Sequence, residues 1–156
     1  MDAQLRPMTD EEFAGWLPDM RDRYAADMVR DAGMSRDRAE AKAVADIERL
    51  FPDGNPVAEQ LVYVIEAEGE AVGDLWLAER DDGLYSSLFI FDITVGEAHR
   101  RRGYGKAAML FAEDEARRRG LNRVALNVFG ANSVARNLYR SLGYSENAVA
   151  MSKTLS

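Results

Sequence analysis

The chain has 156 residues, of which 47% are hydrophobic and 30% charged, values that fit one soluble globular domain with a single core. With no cysteine and one histidine, it offers neither a disulfide framework, a thiol nucleophile nor a Cys- or His-rich metal site, and no metal is expected. A net charge of −7 argues against nonspecific nucleic-acid binding, and "MDAQLRPM" has no apolar signal core and no later run nears a membrane span, so a cytoplasmic protein without nucleic-acid or membrane partners is expected.

In chain order, "LRPMT" reads as a short first strand. Thr9 then caps a helix, with Glu12 at the reciprocal capping-box position and Met8 and Phe13 as a hydrophobic staple. Phe13, Trp16, Leu17, Met20, Tyr24 and Met28 form its apolar stripe, and Pro18 is expected to kink or split it. Ser35 caps a second helix whose Val44, Ile47 and Phe51 share a face, and Pro52-Asp53-Gly54 ends it. Clusters of β-branched and aromatic residues between glycine breaks predict three strands, Leu61 to Ala67, Ala71 to Glu79 and Ser86 to Val95, arranged as a meander.

Tyr104 to Arg119 reads as a helix carrying the i,i+4 pairs Glu113/Arg117, Asp114/Arg118 and Glu115/Arg119, closed by Gly120. "RVALNVF" is a strand. Asn132 then caps a helix whose stripe is Ala135, Leu138, Tyr139 and Leu142, ending at Gly143. "YSENAVAMSKTL" is expected to close the sheet as one or two strands. The order predicts a single α+β (α/β) domain over residues 1–156, with about four helices around a mixed sheet.

Chemistry concentrates in "HRRRGYGKAAM", between a strand and a helix. Helix amides that have no carbonyl one turn earlier attract anions, Gly103 and Gly105 permit close backbone approach, and Arg100, Arg101, Arg102 and Lys106 neutralise charge. A phosphate or pyrophosphate is the natural guest. A Walker A loop is excluded by Ala107 where Ser or Thr must hold magnesium and by Arg100 where the first glycine belongs. Gly103, Gly105 and Ala108 satisfy the dinucleotide fingerprint, but residues 96–102 separate the strand from the first glycine and Asn127 replaces the ribose-binding acid.

Arg100-Arg101-Arg102-Gly103-Tyr104-Gly105 after a strand ending at Val95 resembles the R-x-x-G-x-G acyl-CoA signature of the GNAT superfamily of N-acetyltransferases. Asn132, Ala135, Leu138, Tyr139, Gly143 and Tyr144 resemble its second signature, N-x-x-A-x-x-L-Y-x-x-x-G-[FY]. The resemblance implies a GNAT-like fold in which two parallel strands, "FIFDITV" and "RVALNV", splay apart, with an acyl-CoA core over about residues 86–145 and variable acceptor-side helices over about 1–60. It further implies acetyl-CoA as co-substrate, an amine acceptor and, as a partner, a second copy of the chain in a homodimer.

The backbone of Ile93, Thr94 and Val95 is then expected to receive the cofactor's pantetheine arm, and the amides of residues 101–106, those of Arg101 to Lys106 including Tyr104, its diphosphate. Asp92 is the candidate base and Tyr139 the candidate acid for the CoA sulfur, with a backbone amide near Val95 as oxyanion donor. Asn132 is expected to cap its helix and contact the pantetheine. The structural alternatives are that Asp92 anchors an arginine and Tyr139 is core. Trp16, Tyr24 and Trp76 read as core before pocket wall, and His99 as solvated. A noncatalytic acyl-CoA sensor is the competing function, and a nucleotide-dependent oxidoreductase the third.

Overall fold

The computed structural model describes residues 2–156. Strand β1 (Ala3–Pro7) leads to helices α1 (Asp10–Ala32) and α2 (Arg36–Leu50), then strands β2 (Leu61–Ala67), β3 (Glu70–Asp81) and β4 (Ser86–Val95), helix α3 (Tyr104–Arg118), strand β5 (Val124–Leu126) and helix α4 (Ser133–Ser141). The five strands form one sheet in the order β1-β2-β3-β4-β5. All pairs are antiparallel except β4 with β5.

The two faces of the sheet carry different cores. Alternation along the strands sends Ile65, Leu75, Leu77, Leu88 and Ile90 to one side, where Ala108, Met109 and Ala112 of α3 cover them. Val62 and Trp76 point the other way, into an aromatic nest with Phe13 and Trp16 of α1 and Phe51 after α2. Ring centroids there lie 5.1 to 6.0 Å apart, mostly edge-on or tilted. Each fully buried large side chain in these layers contributes about 1.5–3 kcal/mol of hydrophobic stabilisation.

A register shift between Trp76 and Leu77 opposite β4 leaves Phe91 without a partner of its own, since Leu77 faces Ile90 and Trp76 faces Asp92. Phe91 and Asp92 therefore both reach the α1 side. Phe91 stacks on Trp76 at 4.5 Å, while Ile93 and Val95 return to the α3 side.

The α1 capping box forms as expected: Thr9 Oγ1 accepts from Glu12 N at 3.1 Å and Glu12 Oε1 accepts from Thr9 N at 2.9 Å. Pro18 does not split α1, which runs unbroken to Ala32. Pro18 and Ala14 are both exposed, so the carbonyl that loses its donor faces water while Phe13, Trp16 and Met20 hold the buried stripe. In α2 the buried face is Ala39, Ala43 and Ile47, at four-residue spacing, and Val44 is 54% exposed rather than sharing it.

On α3, Glu113 meets Arg117 and Glu115 meets Arg119, but Asp114 pairs with Arg117 instead of Arg118. Buried Glu115 draws Arg118 as well, because a desolvated carboxylate demands more counter-charge than exposed Asp114. Residues 145–156 form no strand, contrary to expectation, and Val149, Met151 and Leu155 are exposed. Strand β5 is three residues long and stands at the sheet edge, too short a template to order a further strand beside it.

Gly73 on β3 lies where β3 and β4 approach closely: an added Cβ would sit 2.3 Å from the Thr94 carbonyl oxygen. Gly73→Ala is expected to cost about 1–3 kcal/mol of stability, measured by denaturant unfolding, because backbone must give way. Gly15, on the exposed face of α1 with nothing within 4 Å of an added Cβ, is the control. Gly15→Ala should stabilise by about 0.5–1 kcal/mol through helix propensity.

Candidate active site

The parallel pairing of β4 with β5 covers only Leu88, Phe89 and Ile90 against Val124, Ala125 and Leu126. Strand β4 continues to Val95 while β5 stops, so the two separate where pairing ends and backbone polar groups on the β4 edge lose β5 as a partner. A cavity of about 540 Å³ opens at this place. Asp92 and Ile93 line it from β4, Asn127 and Val128 from beyond β5, Asn132 and Tyr139 from α4, and Tyr24 and Met28 from α1.

The structure thus brings together four of the expected site residues, Asp92, Ile93, Asn132 and Tyr139. Thr94, Val95 and the basic loop do not line this cavity. Thr94 Oγ1 is instead engaged with Arg23 at 2.6 Å and with Asp92 at 3.1 Å. Tyr24 and Trp76 line the cavity, whereas Trp16 is core only.

The loop leaves β4 through a short turn, Glu97–His99, and enters α3 at Gly103. Arg101 and Gly103 both take left-handed backbone, at φ 65° and 83°, and Gly103 caps α3 without any side-chain hydrogen bond. No acidic residue stands in the first turn of α3. The helix's first amides therefore lead outward without a built-in anion, beside exposed Arg101, Arg102 and Lys106. An added Cβ at Gly103 or Gly105 would meet nothing within 4 Å, so the open space a diphosphate needs exists there. Arg100 turns back, its Nε donating to the Val95 carbonyl at 3.2 Å. Tyr104 buries its ring against the α3-side core, which leaves only its backbone to face the loop's open side.

Asp92 is held by an arginine from α1. Arg23 of α1 lies 3.3 Å from Asp92 Oδ2 and 3.7 Å from Asp74 Oδ2. Burial pushes the Asp92 carboxyl up, against the pull of Arg23 and Thr94. Asp74 is pushed up to about 6, chiefly by burial, with the Asp92 charge adding to it and Arg23 opposing. The Tyr139 phenol is also raised, by burial first and then by Asp92, so it keeps its proton at neutral pH. Among the described residues its hydroxyl has no hydrogen-bond partner. Asn132 Oδ1 accepts from Ala135 N at 3.2 Å, completing the expected cap.

Arg23 and Asp74 went unforeseen in sequence. The available signal was the stripe Met20, Tyr24, Asp27, Met28 and Asp31 on α1, which continues past the core and lines the cavity, with Arg23 beside it. Asp74 gave a weaker one: a charged residue in a strand, two positions from Trp76 and so on the same face.

Residues 14–144 match the family model of the acetyltransferase (GNAT) family. The chain is 30% identical over 156 residues to an uncharacterized N-acetyltransferase of Bacillus subtilis, YycN, covering 99% of this chain and all of that one. The crystal structure of YycN superposes with a TM-score of 0.89 over 99% of both chains. A streptothricin acetyltransferase of Streptomyces lavendulae is 28% identical over 116 residues, 67% of this chain and 60% of its own. An aminoglycoside acetyltransferase, AAC(6')-Iy, solved with a CoA-S-monomethyl-acetylneamine bisubstrate analogue, shares the fold alone, at TM-score 0.61 and 16% identity over 100% and 99% of the two chains. Parallel strands that part beside a glycine-started helix, the two signatures that flank them and these likenesses lead to one conclusion: the chain belongs to the GNAT family of acetyltransferases.

Proposed function

We propose that the protein is an acetyl-CoA-dependent N-acetyltransferase that transfers an acetyl group to a primary amine by direct attack, on a small molecule or on a peptide or protein. The observation that carries this reading is the meeting of Asp92 and Tyr139 in one cavity at the parting of β4 and β5. A binding-only sensor does not require a partnerless phenol there.

The amides of residues 101–106, with Arg101, Arg102 and Lys106 around them, would hold the diphosphate. The backbone of Ile93, Thr94 and Val95 would pair with the pantetheine amides as an added strand, and Asn132 would stand beside that arm. Acetyl-CoA supplies an acyl group on a good leaving thiolate. A backbone amide near Val95 would steady charge on the thioester oxygen. Asp92, whose carboxyl burial makes more basic, would take the proton that an alkylammonium must lose, directly or through a water. As the N–C bond forms and the C–S bond breaks, Tyr139 would give its proton to the departing sulfur, and the second proton, shed by the acylated nitrogen, would restore the phenol, directly or through a water. No metal enters this scheme.

Tyr139→Phe is expected to lower kcat about a hundredfold or more while leaving acetyl-CoA affinity within a factor of about two, read by CoA release and calorimetry. An unchanged rate removes the acid assignment. A base must be deprotonated to act, so kcat/KM should fall as pH drops through the Asp92 pKa, at a pH above the ordinary carboxylate range. Asp92→Asn should remove that limb, and an intact profile would assign the proton to another group.

Gly105→Val tests the loop. The new side chain meets no protein atom within 4 Å and Gly105 lacks the left-handed φ of Gly103, so the melting temperature should barely move. Acetyl-CoA affinity should drop tenfold or more, because the isopropyl group would occupy the diphosphate's space.

A further inference from the structure

The acceptor side of the cavity has an uneven charge pattern. Asp27 and Asp31 both pair with Arg30, Lys42 and Arg49 both face Asp46, and Asp92 is held by Arg23. One cavity-lining charge is left over. Arg80, at the far end of β3, makes no ion pair and no side-chain hydrogen bond among the described residues, and its guanidinium lies 4.5 Å over the ring of Phe89.

The neighbouring carboxylates have donors of their own, and Asp82, held low chiefly by the amides of Tyr85 and Leu84, feels the Arg80 charge without forming an ion pair with it. Glu79 meets Arg119 at 3.8 Å, Asp81 accepts from the Gly83 amide and lies near the Ser86 hydroxyl, and Asp82 accepts from the amides of Leu84 and Tyr85. An aromatic ring beneath a guanidinium fixes its plane but satisfies none of its in-plane donors. Arg80 therefore presents a preoriented fork suited to a two-oxygen anion at one end of a cavity walled by Phe89, Phe91 and Trp76.

Its place relative to the reacting end follows from the register. Asp92 faces Trp76, and Arg80 lies four residues further along β3, about 13 Å of strand. Leaning over Phe89, which faces Ala78, brings the guanidinium back by up to two residues, to about 7 Å. From this geometry we infer that the acceptor carries an oxyanion, a carboxylate or a phosphate ester, about 7–13 Å from the amine to be acetylated, and that Arg80 receives it. The inference rests on the reading of this cavity as the amine-acceptor site. The CoA diphosphate is no rival occupant, since its proposed loop follows Val95, at the opposite end of β4 from Ser87, the residue that Arg80 faces.

The test compares hexylamine, 6-aminohexanoate and 6-aminohexyl phosphate as acceptors, followed by CoA release. Expected is a kcat/KM ten- to a hundredfold higher for one or both anionic amines than for hexylamine, the higher of the two identifying the oxyanion. Arg80→Gln should collapse that ratio to near one and Arg80→Lys should restore part of it, with acetyl-CoA affinity as in wild type. A wild-type preference for hexylamine, or a ratio that survives Arg80→Gln, would overturn the inference.

Should Arg80→Gln not fold, hexanoate and hexane serve as wild-type probes. Fluorescence of Trp76, which lines the cavity, should respond to hexanoate at tenfold lower concentration than to hexane, and equal responses would overturn the inference. Failure of the acetyltransferase reading looks different: no amine is acetylated although acetyl-CoA binds, and the hexanoate titration still decides the role of Arg80.

Discussion

The bulge in β4 is the constraint on which the site depends. Regular alternation would place Asp92 on the α3 side, among the apolar side chains of Leu75, Leu77 and Met109, where an ionised carboxylate would be costly. One extra residue changes its side of the sheet. Phe91 and Asp92 then share the α1 face, the first stacked on Trp76 and the second against Arg23, and Ile93 resumes the pattern toward α3. The same strand loses its β5 partner after Ile90, so side-chain chemistry and unclaimed backbone on one edge occur within a few residues. A glycine at position 73 keeps β3 close enough to support that stretch from its other edge.

Much of this was legible in sequence because its causes are local. The capping box at Thr9 and Glu12, the strand limits of β2 and β4 and the asparagine cap of α4 depend on neighbours within a few positions, and they form as read. The misreadings involve long-range competition. The missing donor of Pro18, taken alone, allows a split, but solvent at Ala14 and packing on the opposite face make the lost bond tolerable and α1 stays one helix. Arg118 was paired by spacing with Asp114, but the depth of Glu115 decided its partner. The alternation in "NAVAMSK" says that a strand is chemically acceptable there, and nothing about whether an edge exists to receive it.

The site divides in the same way. The glycines and arginines proposed to hold the diphosphate stand out in the sequence because anion binding at a helix start uses consecutive residues. Asp92 is visible as a charge inside an apolar strand. Arg23, Asp74 and Arg80 are each common residues at unremarkable spacings, and their significance comes from who stands opposite. Arg23 matters because α1 crosses the bulge, and Arg80 because every nearby carboxylate already has a donor.

Arg23 also ties the strength of the proposed base to the position of a helix. Two opposing influences set the Asp92 carboxyl: burial, which raises its pKa, and the Arg23 guanidinium and Thr94 hydroxyl, which lower it. Burial wins, but the counterweight comes from α1, the helix that also supplies Tyr24, Asp27 and Met28 to the cavity wall. A movement of α1 that lengthens the 3.3 Å contact removes positive charge from Asp92 and makes it a stronger base, while Asp74, sharing the same arginine, feels the change too. An arriving ammonium would add positive charge beside the carboxylate in its place. The position of α1 and the proton affinity of Asp92 are therefore one coupled quantity in this fold, carried by a single guanidinium between two carboxylates.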